Sequence, residues 1–142
     1  MSQTIFLVSF GFKKRIGKYP ARLLCYSDWF IKASTYAERN GDLWFILSSK
    51  YGLLDPDSEV EDYDVVLKDK TVSERKIWAK QVMSDLKSKL NRKDHVIIFA
   101  PKTYREYLMD PIRQLGCTVE VPMAHFTIGK QLHWLKVKLE NS

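Results

Sequence analysis

Three short runs built almost wholly of apolar residues constrain this chain most: Ile5-Phe6-Leu7-Val8, Leu43-Trp44-Phe45-Ile46-Leu47 and Val96-Ile97-Ile98-Phe99-Ala100. A strand with one wet face alternates apolar and polar residues, whereas a run with no polar position is buried on both faces. Their length suits strands better than helices, and Gly11 and Pro101 stop the first and third. A fourth strand is predicted over residues 117–121.

Between these runs the apolar spacing becomes helical. Trp29, Phe30, Ala33 and Ala37 follow Ser27, a predicted N-cap with Asp28 in the first turn, and Asn40-Gly41 supplies the stop. Thr71-Val72-Ser73-Glu74 has the spacing of a capping box, and Ile77, Trp78, Val82, Leu86 and Leu90 mark one apolar face behind it. Tyr104, Tyr107, Leu108, Ile112 and Leu115 predict a helix over residues 103–115, kinked at Pro111 and stopped by Gly116. Ile128, Leu132, Leu135 and Leu139 predict a last amphipathic helix with Lys130, Lys136 and Lys138 outside. Strands alternating with helices imply parallel pairing through right-handed crossovers. The expected fold is one α/β domain over residues 1–142, a three-layer α/β/α sandwich around a central, mostly parallel four-stranded sheet.

Composition narrows the classes. At 142 residues with 45% hydrophobic and 13% aromatic content the chain can build a real core. No apolar run approaches the roughly 20 residues that span a bilayer, and the opening residues lack a signal peptide's basic segment. A cytoplasmic protein with no membrane partner is expected; oligomeric state is not legible. Cys25 and Cys117 match no metal spacing and are too few for a disulfide framework, so both are expected as buried thiols. His95, His125 and His133 lack a ligand pattern, and neither a metal nor a cofactor is expected.

The net charge of +6 is unevenly spread. Lys13, Lys14, Arg15, Lys18 and Arg22 form a basic segment, and Asp55, Asp57, Glu59, Glu61, Asp62 and Asp64 an acidic one. Either the two neutralise each other or they line opposite walls of a cleft. In open α/β sheets ligands bind beyond the carboxyl ends of the strands. That rule gathers the loops of residues 9–22, 48–70 and 100–104 on one rim.

The rim holds the candidate chemistry. Ser9 and Gly11, followed by Phe12, Lys13 and Lys14, can present backbone N–H groups and ammonium charge to a phosphate, or form a solvated basic loop. The full P-loop and dinucleotide glycine patterns are missing, which argues against those two activities. Tyr26 and Ser27 can receive an anion or serve the helix as a structural cap. The segment Ser48-Ser49-Lys50-Tyr51-Gly52-Leu53 reads as a site placed after a buried strand. Tyr51 and Tyr63, with Tyr104 in the third loop, offer flat faces for a base or simple loop anchors. Asp64 precedes Val65-Val66-Leu67, so a partly desolvated carboxylate is expected there, suited to a general base or to stabilising an oxocarbenium ion. Lys50 can stabilise negative charge on a leaving group, or pair with the acidic loop.

These motifs resemble a family of small, mostly uncharacterised bacterial and phage domains. Its members open with a Ser-Cys-x-Lys-Lys-like loop and continue with Tyr-x-Ser-x-x-Phe, Ser-Ala-Lys-Tyr-Gly-Leu, a proline and Tyr-Asp. Here the elements stand as Ser9-Phe10-Gly11-Phe12-Lys13-Lys14, Tyr26-Ser27-Asp28-Trp29-Phe30, Ser48-Ser49-Lys50-Tyr51-Gly52-Leu53, Pro56 and Tyr63-Asp64. Ala100-Pro101-Lys102-Thr103-Tyr104 resembles the family's Gly-x-x-Tyr turn, and Ile128-Gly129-Lys130-Gln131-Leu132 extends the likeness. The same elements look like those of YaaA-type peroxide-stress proteins and of the catalytic domain of archaeosine-forming enzymes. More remotely the architecture is similar to uracil-DNA glycosylases, which implies the sheet order 2-1-3-4. The resemblance implies handling of a nucleobase, nucleotide or nucleic acid, with N-glycosidic chemistry as the concrete case. Phe10 stands where the family has cysteine, with Gly11-Phe12 extra, so an activity relying on that cysteine is in question.

Three function classes follow. In a glycosidase-type hydrolase, Asp64 orients water or stabilises the sugar cation, Tyr51 or Tyr63 stacks the base, and Lys13, Lys14 and Lys50 hold phosphate. The alternative is a noncatalytic nucleotide or nucleic-acid binding module, regulatory or phage-borne. A third class, an interaction subunit, would use exposed aromatics such as Trp134.

Overall fold

The computed structural model describes residues 2–11 and 13–142; Phe12, part of the basic loop read above as a phosphate cradle, lies outside the described residues. The strands are β1 (Thr4–Ser9), β2 (Lys18–Pro20), β3 (Leu43–Ser48), β4 (Gly52–Leu54), β5 (Glu59–Glu61), β6 (His95–Phe99) and β7 (Thr118–Glu120). The helices are α1 (Ala21–Leu24), α2 (Asp28–Asn40), α3 (Val72–Leu86), α4 (Lys102–Arg105), α5 (Met109–Gln114) and α6 (Ile128–Glu140).

The three apolar runs sit at the centre. β1 pairs in parallel with β3 on one side and β6 on the other, and β6 pairs in parallel with β7. Alternate residues of each run feed opposite cores. Phe6, Val8, Ile46 and Phe99 pack with Phe30, Ala33 and Ala37 of α2 and Leu135 of α6. Ile5, Leu7, Leu47, Val96 and Ile98 pack with Trp78, Val82 and Leu86 of α3 and Ile112 of α5. Each fully buried Leu, Ile or Phe contributes roughly 1.5–3 kcal/mol, so sheet and helices hold one another.

The sheet has five strands, in the order β4-β3-β1-β6-β7, not the four expected. The additional strand lies in the stretch read as polar loop: after a tight turn at Lys50 and Tyr51, Gly52–Leu54 folds back antiparallel on β3. Gly52 sits at φ +75, a left-handed conformation that costs glycine least, and Leu54 carries its side chain into the core. A second, two-stranded sheet joins β2 to β5.

Other expectations need correction. The helix predicted over residues 103–115 is two short helices, α4 and α5. Pro111 stands in the first turn of α5, where a missing N–H is harmless, but its ring cannot share one helix with the Tyr107 carbonyl. Ile77 and Ile128 are 67% and 62% exposed and do not belong to the buried faces assigned to them. Trp134 is half-buried against Tyr36 and Phe99, with ring centroids 5.7 and 6.0 Å away, and is no free docking aromatic. No helix among the described residues is long and apolar enough to cross a membrane.

The capping box at α3 is formed as the spacing requires: Thr71 Oγ1 accepts from Glu74 N at 3.1 Å, and Glu74 Oε1 accepts from Thr71 N at 2.9 Å. Those bonds hold the Glu74 carboxyl below its ordinary range. Thr71→Ala is expected to cost about 1 kcal/mol, near 3 °C in Tm for a chain this long. Because the folded carboxyl is the stronger acid, the stabilisation is complete above the ordinary glutamate value of 4.5 and is lost as pH falls toward the lower folded value. The Tm gap between wild type and Glu74→Ala should therefore narrow on acidification, which thermal melts across pH will measure.

Candidate functional site

The carboxyl ends of β1 and β6 open onto two adjoining cavities, and the segment beyond β3 reaches the smaller of them at residues 63–68. β1 delivers Ser9, and Phe10 N prolongs the ladder by donating to Leu47 O at 3.3 Å. The chain then bends at Gly11, where a side chain would meet Ser27 Oγ at 2.5 Å and Cys25 Sγ at 3.4 Å. That contact locks the loop against the start of α2. Ser27 caps α2 by accepting from Phe30 N at 3.2 Å, and Cys25 Sγ lies 3.5 Å from its hydroxyl.

The larger cavity, about 980 Å³, is walled chiefly by apolar side chains including Phe99, Met109, Val121 and Met123. Trp29 lines it too, oriented by donating from Nε1 to Gln131 Oε1 at 2.9 Å. Lys13, Lys102 and Arg105 bring positive charge to its wall. The smaller cavity, about 170 Å³, is lined by Lys14, Tyr63, Asp64, Lys68 and Tyr104. Phe10, Gly11 and Pro101 line both, so the two are lobes of one cleft divided by that ridge.

Beneath the smaller lobe Ser48 acts as a hub. Fully buried, it donates to Tyr63 Oη at 2.7 Å and accepts from Tyr51 N at 2.9 Å and Lys50 N at 3.3 Å. Trp78 Nε1 donates to the Ser48 carbonyl at 2.9 Å, and Ser49 Oγ donates to Val65 O at 2.6 Å. The acidic loop is thereby tied to β3. Burial pushes the phenols of Tyr63 and Tyr104 up from the usual tyrosine range, against the lowering effect of nearby serine hydroxyls, so both remain protonated donors at neutral pH. Lys14 Nζ stands 4.7 Å from the Tyr63 ring centroid and donates to Gly11 O at 3.1 Å. Burial pushes its ammonium down, outweighing the opposite influence of Cys25 and Asp64.

Of the residues singled out in sequence, Ser9, Gly11, Lys13 and Ser27 line the larger lobe, and Gly11, Lys14, Tyr63, Asp64 and Tyr104 the smaller. Five stand outside both. Ser48 lies beneath the floor, and Gly52 is buried in β4. Tyr51 packs edge-on against Tyr63 at 5.6 Å, and Lys50 is exposed with its ammonium over Tyr51. Tyr26 is 47% exposed beneath the Arg15 guanidinium. Asp64 is exposed, not desolvated: of the apolar residues after it only Leu67 is buried, while Val65 and Val66 stay half-buried along the cleft wall without covering the carboxylate. The charged segments take both roles proposed for them: Arg22 pairs with Asp57 at 2.9 Å and Gly17 N donates to Asp62 at 3.0 Å, while Lys13, Lys14 and Asp64 face the cleft.

Sequence reasoning missed Trp29, Lys102, Arg105, Met123 and Gln131 as cleft residues. Trp29 shares the apolar spacing of α2, and the signal that marks it for the cleft is its position just after the N-cap, at the rim end of the helix. Among the described residues no three His, Cys, Asp or Glu side chains gather as a metal site would need.

Ser48→Ala removes one donor and one acceptor from a buried hub, and a loss of about 1–3 kcal/mol is expected in denaturant titrations. Tyr63→Phe should cost less, and the double variant should fall short of the sum, since both changes break the same bond.

No curated protein and no solved structure matches this chain. A family model described as a family of unknown function, DUF6884, matches residues 5–137, and the chain belongs to that family.

Proposed function

We propose that this protein takes a nucleobase-containing phosphate compound into the two-lobed cleft and acts on it by N-glycosidic cleavage. One observation carries the reading. An apolar cavity of about 980 Å³ with cationic side chains on its wall adjoins, across a shared ridge, a smaller lobe holding a carboxylate, two amines and two phenols. Largely apolar clefts of ~300–1,000 Å³ with a few convergent polar groups are the usual sites for small ligands.

In this reading the base lies in the larger lobe, where Trp29 and Phe99 offer apolar aromatic surface. Phosphate meets Lys13, Lys102 or Arg105 as a charge-assisted partner. The sugar crosses the Phe10–Pro101 ridge, and Asp64 in the smaller lobe orients water or stabilises positive charge developing on the sugar. Exposure suits the first of these tasks, because water reaches the carboxylate. Lys50 and Tyr51 have no part in this pose. A free nucleotide or a single strand enters without the unstacking that duplex DNA requires. Kinship of fold with uracil-DNA glycosylases belongs to the same proposal and rests on the motifs, and fold alone does not assign a reaction.

The second reading is a noncatalytic nucleotide-binding module. It draws support from the exposure of Asp64 and from Phe10 in the place of the family's cysteine.

Incubation of wild type and Asp64→Asn with DNA, RNA and a nucleotide mixture, followed by mass spectrometry of free bases, separates the readings. The expected outcome is base release by wild type alone, with nucleotide binding retained in Asp64→Asn. Equal release by both proteins would remove Asp64 as the catalytic residue. No release from any pool, together with a rise in Tm on nucleotide addition, would favour the binding module.

A further inference from the structure

Lys14 lines the smaller lobe, and its backbone is pinned on both sides: Tyr26 N donates to Lys13 O at 2.7 Å, Arg15 N donates to Leu24 O at 2.7 Å, and Lys14 itself bridges Cys25. Its ammonium rests on the faces of Tyr63 and Phe10, with centroids at 4.7 and 5.9 Å. Among the described residues no carboxylate forms an ion pair with it. Lys32, by contrast, pairs with Asp28 on the open surface. A lysine held rigidly at a cavity wall, partly stripped of water and lacking a paired anion, is the arrangement that makes an amine nucleophilic toward carbonyl carbon.

We propose that Lys14 is a carbonyl-capturing amine that forms a reversible Schiff base with the open-chain aldehyde of a sugar phosphate. The proposal rests on the N-glycosidic reading for its substrate, because cleavage of that bond frees the anomeric carbon and ring opening turns it into an aldehyde. The unprotonated Nζ adds to the aldehyde carbon, and the carbonyl oxygen takes a proton to give a carbinolamine. Loss of that hydroxyl as water leaves the iminium. Overall an ammonium and an aldehyde give an iminium and water, with no change in oxidation state, and hydrolysis reverses the step.

The surroundings favour it. Burial lowers the proton affinity of Lys14, while Cys25 and Asp64 act more weakly in the opposite direction. Lys68 lines the same lobe and adds positive charge, and the protonated phenols of Tyr63 and Tyr104 can donate to the departing hydroxyl. The lobe, at about 170 Å³, has room for a short carbon chain beside Lys14.

The test uses ribose 5-phosphate as the aldehyde and sodium cyanoborohydride as trap, with the modified lysine found by peptide mapping. The expected result is a reduced adduct at position 14 ahead of every exposed lysine, saturating with sugar phosphate. Lys14→Arg should lose that adduct and keep its background labelling elsewhere, and Lys18→Arg, at an exposed lysine outside both lobes, should retain it. Because a charge-preserving variant can still disturb the loop, wild-type protein is also mapped with glyceraldehyde, a smaller aldehyde without phosphate, and Lys14 should again label first. Labelling spread over exposed lysines with position 14 spared would overturn the proposal. Base release without any Lys14 adduct would do the same while leaving the N-glycosidic reading intact. An adduct at Lys14 in a protein that releases no base would uphold the amine and discard that reading.

Discussion

β1 has no wet face, and most of the molecule follows from that. A strand whose run Ile5–Val8 has no polar position needs a hydrogen-bonded neighbour on each side and a helical layer above and below, and β3, β6, α2 and α3 fill those places. Parallel pairing then sends every crossover back to the same starting edge, so the segments after β1, β3 and β6 leave from one rim. The cleft is a consequence of that topology. Its ridge is the continuation of β1 itself, at Phe10 and Gly11.

The rim loops are held to the sheet by a few buried polar contacts. Ser48, the last residue of β3, gathers the phenol of Tyr63 and the turn that starts β4. Gly11 allows Ser27 to approach β1's continuation closely, which sets the entry of α2 and with it Trp29. Both devices place side chains of the cleft on rigid elements, as a site with defined geometry requires. The acidic loop is anchored at Ser48, at Ser49 and through β5, so only part of its charge is left to face a ligand.

How much of this was legible depends on how local the cause is. The β1, β3 and β6 runs and the caps at Ser27 and Thr71 are written in adjacent residues, and the α/β class with a central parallel sheet is visible from them. β4 was not visible, because Gly52-Leu53-Leu54 is too short to show a period and becomes a strand only where β3 offers an unpaired edge. The pairing of β2 with β5 likewise joins segments far apart in sequence through tertiary contact alone. At the site, Lys13, Lys14, Tyr63, Asp64 and Tyr104 were found by their position after strands, which topology alone dictates. Lys102 stands in the third rim loop and Gln131 in the last quoted motif, yet neither they nor Arg105 are singled out, because an isolated polar side chain carries no pattern that says whether it faces the cleft or solvent. Asp64 was misjudged for burial, since neighbouring apolar residues say where those side chains go and nothing about what covers the carboxylate.

In the proposed function the larger lobe seats a nucleobase. The most direct measurement is a titration with nucleoside monophosphates followed through the indole N–H resonances of the four tryptophans, which report from separate places in the fold. Trp29 alone lines that lobe, hydrogen-bonded to Gln131, whereas Trp44 and Trp134 belong to the core on the same side of the sheet and Trp78 to the core on the other. The account predicts a saturable shift of the Trp29 indole with the other three little changed. Unmoved tryptophans at saturating nucleotide, or shifts confined to Trp44, Trp78 or Trp134, would contradict it.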